Sequence, residues 1–261
     1  MNELELYQYI GHRLPRAPHV SGIINRILKP IYNRKNRGLV VSDVFDFKME
    51  LDPRECVDGN LLFCPQLYDY KEMMFMDKNL KGDDVFVDIG SHIGFYSLMA
   101  SRKCKTVVAI EANPETFQRL RKNIQLNHAA ISAIHSGVSD KKELLRLSPN
   151  TGTNAGEMSF MGNCENGIEV QCVPLIDILE QQHIKAIKML KIDVEGYEYK
   201  ILNHFYNHAD KSLFPQLLIT EFYENNVHNT TGNQIQLLEK YGYKEIFRSH
   251  DNRIFQAASS Y

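Results

Sequence analysis

Two short stretches of this 261-residue chain set chemically useful residues where a ligand would need them. In Val85-Phe86-Val87-Asp88-Ile89-Gly90-Ser91-His92-Ile93-Gly94-Phe95 an apolar run ends in an acid, passes through a glycine-bearing turn and enters a helical pattern. Gly90 permits backbone conformations, and a close ligand approach, that a side chain would obstruct. The helix start beyond it is expected to offer unpaired N–H groups to a ligand carboxylate. The second stretch, Val107-Val108-Ala109-Ile110-Glu111-Ala112-Asn113, ends the next apolar run in Glu111. An acid at that point can hold both hydroxyls of a ribose, and it follows the turn at close to the roughly 20 residues this role requires. Taken singly, the glycine turn is explained by tight packing and Glu111 by a solvated strand end. In this order and at this spacing they predict a nucleoside site.

The turn is Gly-x-x-x-Gly, without the Gly-x-Gly-x-x-Gly that admits a pyrophosphate and without a following Gly-Lys-Ser/Thr. Asp88, just before it, would repel a diphosphate. S-adenosylmethionine carries no phosphate; its ammonium suits Asp88 and its carboxylate suits the Gly90–Gly94 turn, so it is the expected cofactor. Transfer of its methyl group is an in-line displacement, where orientation contributes up to about 7–11 kcal/mol. An alcohol acceptor also needs a base, worth roughly 10²–10⁴-fold. Lys191, Asp193 and Glu195 lie two residues apart, on one strand face until a turn intervenes, and Lys191 would keep both acids ionised. Glu221 ends a later apolar run as a base, a substrate ligand or a structural partner. Glu195 serves equally well as a first-turn helix carboxylate, and His228 reads as a surface residue. Three carboxylates at one rim can also hold a divalent cation, but such groups converge in many metal-free sites, so no metal is assigned.

The elements that position these residues follow from periodicity. Strands are expected at 85–89, 106–110, 131–138, 188–192 and 217–221, and helices at 94–103, 114–127, 197–208 and 233–241. Asn113 is a good N-cap and Pro114 suits the first helical position. The alternation predicts a parallel sheet covered on both faces, and the C-terminal stretch reads as two closing antiparallel strands. Residues 143–173 are poorly patterned and read as an insertion at the site's rim. Before residue 81 the character differs. Residues 1–38 read as helical, 39–52 as a strand or hairpin and 61–80 as one helix with a Met/Phe-rich packing face. Residues 1–80 are therefore assigned to an extension that packs on or caps the site, and 81–261 to the cofactor-binding domain.

That extension is basic: from Gly11 to Gly38 there are seven Lys/Arg and no acid, beside an apolar helical stripe that Pro30 should kink or end. Packing on the domain or a dimer partner, peripheral attachment to an anionic membrane and binding of an acidic substrate all suit it. With 30 Lys/Arg against 32 Asp/Glu, the net charge of -2 gives no global argument for nucleic acid, and none is expected as a partner. Five cysteines without metal spacing read as free thiols. No apolar run approaches the roughly 18 residues of a membrane span, and no leader is visible, so a cytoplasmic protein is expected.

At this point the sequence resembles the FkbM family of methyltransferases, through VFVDIGSHIGFYSL (85–98), VVAIEANPETFQRLRKNI (107–124), GVSD (137–140) and LKIDVEGYEYKIL (190–202). The resemblance spans roughly residues 60–250. It implies a class I, Rossmann-like, seven-stranded doubly wound fold and methyl transfer, usually to a hydroxyl of a sugar or polyketide-type product. It further implies that Asp88, Gly90, Ser91, His92 and Gly94 form the methionine-binding loop and that Glu111 holds the ribose. By the same likeness Ala112, Val138 and Ser139 line the adenine pocket and Asp193 faces the sulfonium. His92 stands where relatives commonly carry Asn, and Tyr68-Asp69 where they often carry Tyr-Glu. The rival readings are an RNA or protein methyltransferase and a non-catalytic nucleoside-binding module.

Overall fold

The computed structural model describes residues 3–15, 20–34, 38–149, 158–159, 167–221, 231–249 and 252–258. The chain opens with α1 (Glu3–Gly11), α2 (Val20–Asn33), β1 (Val40–Val44), β2 (Phe47–Leu51), α3 (Cys56–Phe63) and α4 (Tyr70–Asn79). It continues through β3 (Gly82–Ile89), α5 (Phe95–Ser101), β4 (Cys104–Glu111), α6 (Pro114–Leu126), β5 (Ser132–His135) and β6 (Gly137–Ser139). Then come β7 (Glu143–Pro149), β8 (Met158–Ser159), β9 (Ile168–Pro174), α7 (Leu175–Gln181) and β10 (Met189–Ile192). It closes with α8 (Glu198–His208), β11 (Leu217–Glu221), α9 (Thr231–Lys240), β12 (Tyr243–Arg248) and β13 (Asn252–Ala257).

Seven strands form one sheet in the order β12-β13-β11-β10-β3-β4-β5. β11, β10, β3, β4 and β5 run parallel, while β13 is antiparallel to both β11 and β12. This is the doubly wound sheet that the strand–helix alternation predicts. Because successive strand residues face opposite sides, Phe86 and Val87 enter different cores. Phe86, Val107, Met189 and Leu217 pack with Tyr32, Met49, Phe63 and Met76, so the N-terminal elements cover one face of the sheet. Val87, Val108, Leu190 and Leu218 pack with Ile178, Leu202 and Leu238 of the helices on the other.

Four local expectations change. The 61–80 helix is broken, because Pro65 supplies no N–H and opens a short 3-10 turn between α3 and α4. Asp69 then adopts a left-handed φ of 44° as α4 begins. In the Met/Phe run Met73 and Met76 are core residues, but Met74 is exposed. Pro30 does not end its helix, since α2 continues to Asn33. The 131–138 strand is two strands in two sheets: at Ser136, whose N–H bonds Glu111 O and whose Oγ donates to Gln171 O, the chain leaves β5 and enters β6. β6 joins β9, β7 and β8 in a second sheet of four strands, which gives regular structure to much of 143–173. Residues 150–157 and 160–166 of that segment lie outside the described residues.

Candidate active site

A cavity of about 490 Å³ opens where β3, β4, β10 and β11 end, and residues of the first 80 form part of its wall. Ligands of doubly wound folds bind at this end of the sheet. Asp88 lies at its floor, fully buried. Ser97 Oγ donates to Asp88 Oδ2 at 2.6 Å, while Asp88 Oδ1 has no hydrogen-bond partner among the described residues. Burial pushes the carboxyl up from the usual range, against the pull of Lys191 and Ser97.

The turn after Asp88 is constrained differently from the sequence expectation. Gly90 has φ +77°, and a Cβ there would sit 1.8 Å from the Asp193 carbonyl oxygen. The end of β10 crosses the turn and by itself requires a glycine there, and Gly90 also lines the cavity. Gly94, φ +91°, is likewise needed for packing, since its Cβ would lie 2.5 Å from Leu120 Cδ1; it does not line the cavity. The expected offer of turn N–H groups to a carboxylate also changes. Gly90 and Ser91 N–H both bond Ile110 O at 3.0 Å, His92 N–H bonds Glu111 Oε2 at 2.9 Å, and Gly94 N–H bonds Ser91 O at 2.9 Å. Ser91 Oγ, by contrast, is buried on the cavity wall with no hydrogen-bond partner.

Glu111 is the second acid of the cavity wall. Its Oε2 accepts from His92 N–H and its Oε1 from Asn113 N–H at 2.8 Å, so both oxygens are aimed by backbone. Burial pushes its carboxyl up to about 7, even though both bonds favour the ionised form. Asn113 caps α6 as expected, accepting from Glu115 and Thr116 N–H. Ala112 and Val138 line the cavity beside Glu111. Ser139 does not. Side chains of successive strand residues point to opposite faces, and Ser139 Oγ turns to Glu143 Oε1 at 2.7 Å.

At the far end the four residues singled out by spacing converge. Lys191 is buried, with Nζ 2.9 Å from Asp193 Oδ2 and 4.7 Å above the Tyr96 ring. Burial works against its charge, but Asp193 and Asp88 hold the ammonium pKa above its usual value. The Asp193 carboxyl, which burial alone would raise, is held below the usual range chiefly by Lys191. One oxygen from each of Asp193, Glu195 and Glu221 lies within 4.8 Å of the others, a spacing that one cation could span. Lys191 already supplies positive charge to this cluster. Glu195 occupies a left-handed turn at φ 53° before α8, and the acid in the first turn of that helix is Glu198. Glu198 Oε1 accepts from Val194 N–H at 2.9 Å and Oε2 from Gly196 N–H at 3.0 Å.

Sequence reasoning missed Tyr96 as a site residue; its hydroxyl donates to Asp69 Oδ2 at 2.8 Å, tying the Lys191 platform to the segment before α4. It also missed Lys29, Arg54 and Thr116 on the cavity wall. Only the basic character of the first 38 residues pointed toward Lys29. His228 lies outside the described residues.

The sequence profile of the FkbM methyltransferase domain matches residues 88–245. The hexuronic acid methyltransferase AglP of Haloferax volcanii is 27% identical over 125 residues, covering 48% of this chain and 51% of AglP. The 31-O-demethyl-FK506 methyltransferase FkbM of Streptomyces tacrolimicus is 27% identical over 199 residues, covering 64% of this chain and 75% of that protein. The chain thus spans about half the length of AglP and three quarters of the second relative. Among solved structures, a methyltransferase FkbM from Methylobacillus flagellatus aligns over 91% of this chain and 60% of its own, with 18% identity and a TM-score of 0.48.

Proposed function

The chain belongs to the FkbM methyltransferase family, and from that premise we propose that it methylates a hydroxyl of a sugar, glycan or small natural product, with S-adenosylmethionine as donor. The observation that carries the reading is the buried, unpartnered Oδ1 of Asp88, in a cavity whose other end holds the Lys191–Asp193 pair. A buried carboxylate oxygen without a donor is costly, and an ammonium group of the ligand would satisfy it. Glu111, with its two oxygens oriented by His92 and Asn113 N–H, fits a ribose diol. Ala112 and Val138 offer an apolar wall to an adenine ring. When bound, S-adenosylmethionine supplies a methyl group on a positively charged sulfur, which a nucleophilic oxygen can displace.

The chain's own task is to align the acceptor and take its proton. Asp193 is the base: Lys191 fixes its Oδ2, and the low pKa keeps it ionised at neutral pH. Glu195 and Glu221 border the same space, where carboxylates bind neighbouring hydroxyls and fix the acceptor's angle. The partly buried Tyr68 and the buried Tyr96, aromatics of the wall, exclude water from the reacting end. The relative named for 31-O-demethyl-FK506 supports an oxygen acceptor, and the one named for hexuronic acid supports a sugar. The near-neutral charge disfavours RNA.

Methyl-labelled S-adenosylmethionine, incubated with the protein and fractionated extract of its host, tests the acceptor class. Label is expected in the small-molecule or glycan fraction as an alkali-stable ether. Label confined to RNA or protein would overturn the proposal.

A further inference from the structure

Two cations of the N-terminal segment face the same cavity, and nothing in the proposed chemistry uses them. Lys29 lies on α2, one turn before Tyr32, which is buried among Tyr7 and Phe63. Asn33 Nδ2 donates to Pro53 O at 2.8 Å, so the end of α2 is tied to the turn that carries Arg54. The Lys29 stem lies close against Gly59, where a Cβ would meet its Cδ at 3.3 Å, and the residue lines the cavity. A lysine that buries its stem in this way keeps its charged head available. Among the described residues Lys29 has no hydrogen-bond or ion-pair partner. Arg54 also lines the wall. It uses Nε and Nη2 to grip Asp52, at 2.8 and 2.5 Å, which leaves Nη1 outside that pairing. Asp52 and Glu55 balance the charge of Arg54, whereas Lys29 has no ion-pair partner among the described residues.

The cofactor proposed above has a carboxylate as well as an ammonium, and four N–H groups of the turn expected to receive it are already engaged. Gly90, Ser91, His92 and Gly94 N–H are all bonded within the protein. The third cation of the cavity, Lys191, is committed to Asp193. Around Lys191 stand Asp88, Asp193 and Glu221, which would repel a further anion there. We infer that Lys29, assisted by Arg54, seats the carboxylate of the cofactor's methionine tail, so that the N-terminal segment completes the cofactor site. The inference rests on the cofactor reading and adds two residues to it. It also gives the basic segment a chemical task at the cavity wall.

Calorimetric titration with S-adenosylmethionine and with its decarboxylated analogue, which keeps the ammonium, sulfonium, ribose and adenine, isolates this contact. The unmodified protein is expected to prefer the carboxylate form by roughly ten- to a hundredfold, the range for one hydrogen bond to a charged group. Lys29→Ala should reduce the preference to a few-fold by weakening only the carboxylate form, and Arg54→Ala should narrow it partially. An unchanged affinity of Lys29→Ala for the decarboxylated analogue reports that the variant is folded. If Lys29→Ala keeps the full preference, or weakens both ligands equally, the inference is overturned. If neither ligand binds the unmodified protein, the cofactor reading itself fails.

Discussion

Asp193→Asn is expected to lower kcat by roughly 10²–10⁴-fold while leaving affinity for S-adenosylhomocysteine within a few-fold, because it removes a base and little else. The replacement is nearly isosteric, and its carbonyl oxygen can still accept from Lys191 Nζ, now 2.9 Å from Asp193 Oδ2. Lys191 also keeps the neighbouring charges of Asp88 and Glu221, so a protonated ammonium remains at that position. The proposed cofactor anchors, Asp88 and Glu111, hold their places through Ser97, His92 and Asn113, none of which depends on the Asp193 charge. Single-turnover rates with an identified acceptor, beside a titration of the same variant with S-adenosylhomocysteine, separate the two effects. Unchanged turnover would remove Asp193 from the base role and pass it to Glu221 or Glu195.

The largest stability effect is expected at a turn glycine that has no side chain. Gly90→Ala should cost about 2–5 kcal/mol of folding stability and abolish cofactor binding. Part of the cost is the positive φ of 77°, which a side chain rarely adopts. The larger part is steric: the new methyl would lie 1.8 Å from the Asp193 carbonyl oxygen, a backbone atom held where β10 ends. Either the turn or the strand end must move, and the first carries Ser91 while the second carries Asp193. Gly82→Ala is the control, since Gly82 also has a positive φ, +47°, but no atom within 4 Å of a Cβ. Urea denaturation of the two variants therefore separates backbone strain from collision. Equal losses would mean that the crossing of turn and strand is not the constraint.

That crossing also shows where sequence reading stops. The apolar runs at 85–89 and 217–221 and the cap at Asn113 and Pro114 are visible because buried parallel strands and helix starts carry local signatures. The order Asp88, glycine turn, Glu111 is legible for the same reason, since all of it lies within one βαβ unit. The reason for Gly90 is not local. Its neighbour is Asp193, a hundred residues on in sequence, so ligand approach and strand crossing leave the same mark on the sequence. Ser139 reads as a wall residue until the pleat of β6 is known, and Ser136 gives no local sign that the chain changes sheets there. Lys29 is the sharpest case. Its charge is evident, but its place beside the cavity depends on how Tyr32 and Asn33 dock α2.

The central claim is that one phosphate-free adenosyl donor occupies the cavity between Asp88, Glu111 and Asp193. Isothermal titration with S-adenosylhomocysteine, run near pH 6 in two buffers of different ionisation enthalpy, tests it most directly. Glu111, raised to about 7 by burial, is mostly protonated there in the free protein, and ribose hydroxyls that donate to its carboxylate favour the ionised form. The expected result is one ligand per chain, with net release approaching about one proton that fades as the pH rises above roughly 8. A chain that gives no heat with S-adenosylhomocysteine but binds NAD would contradict the account.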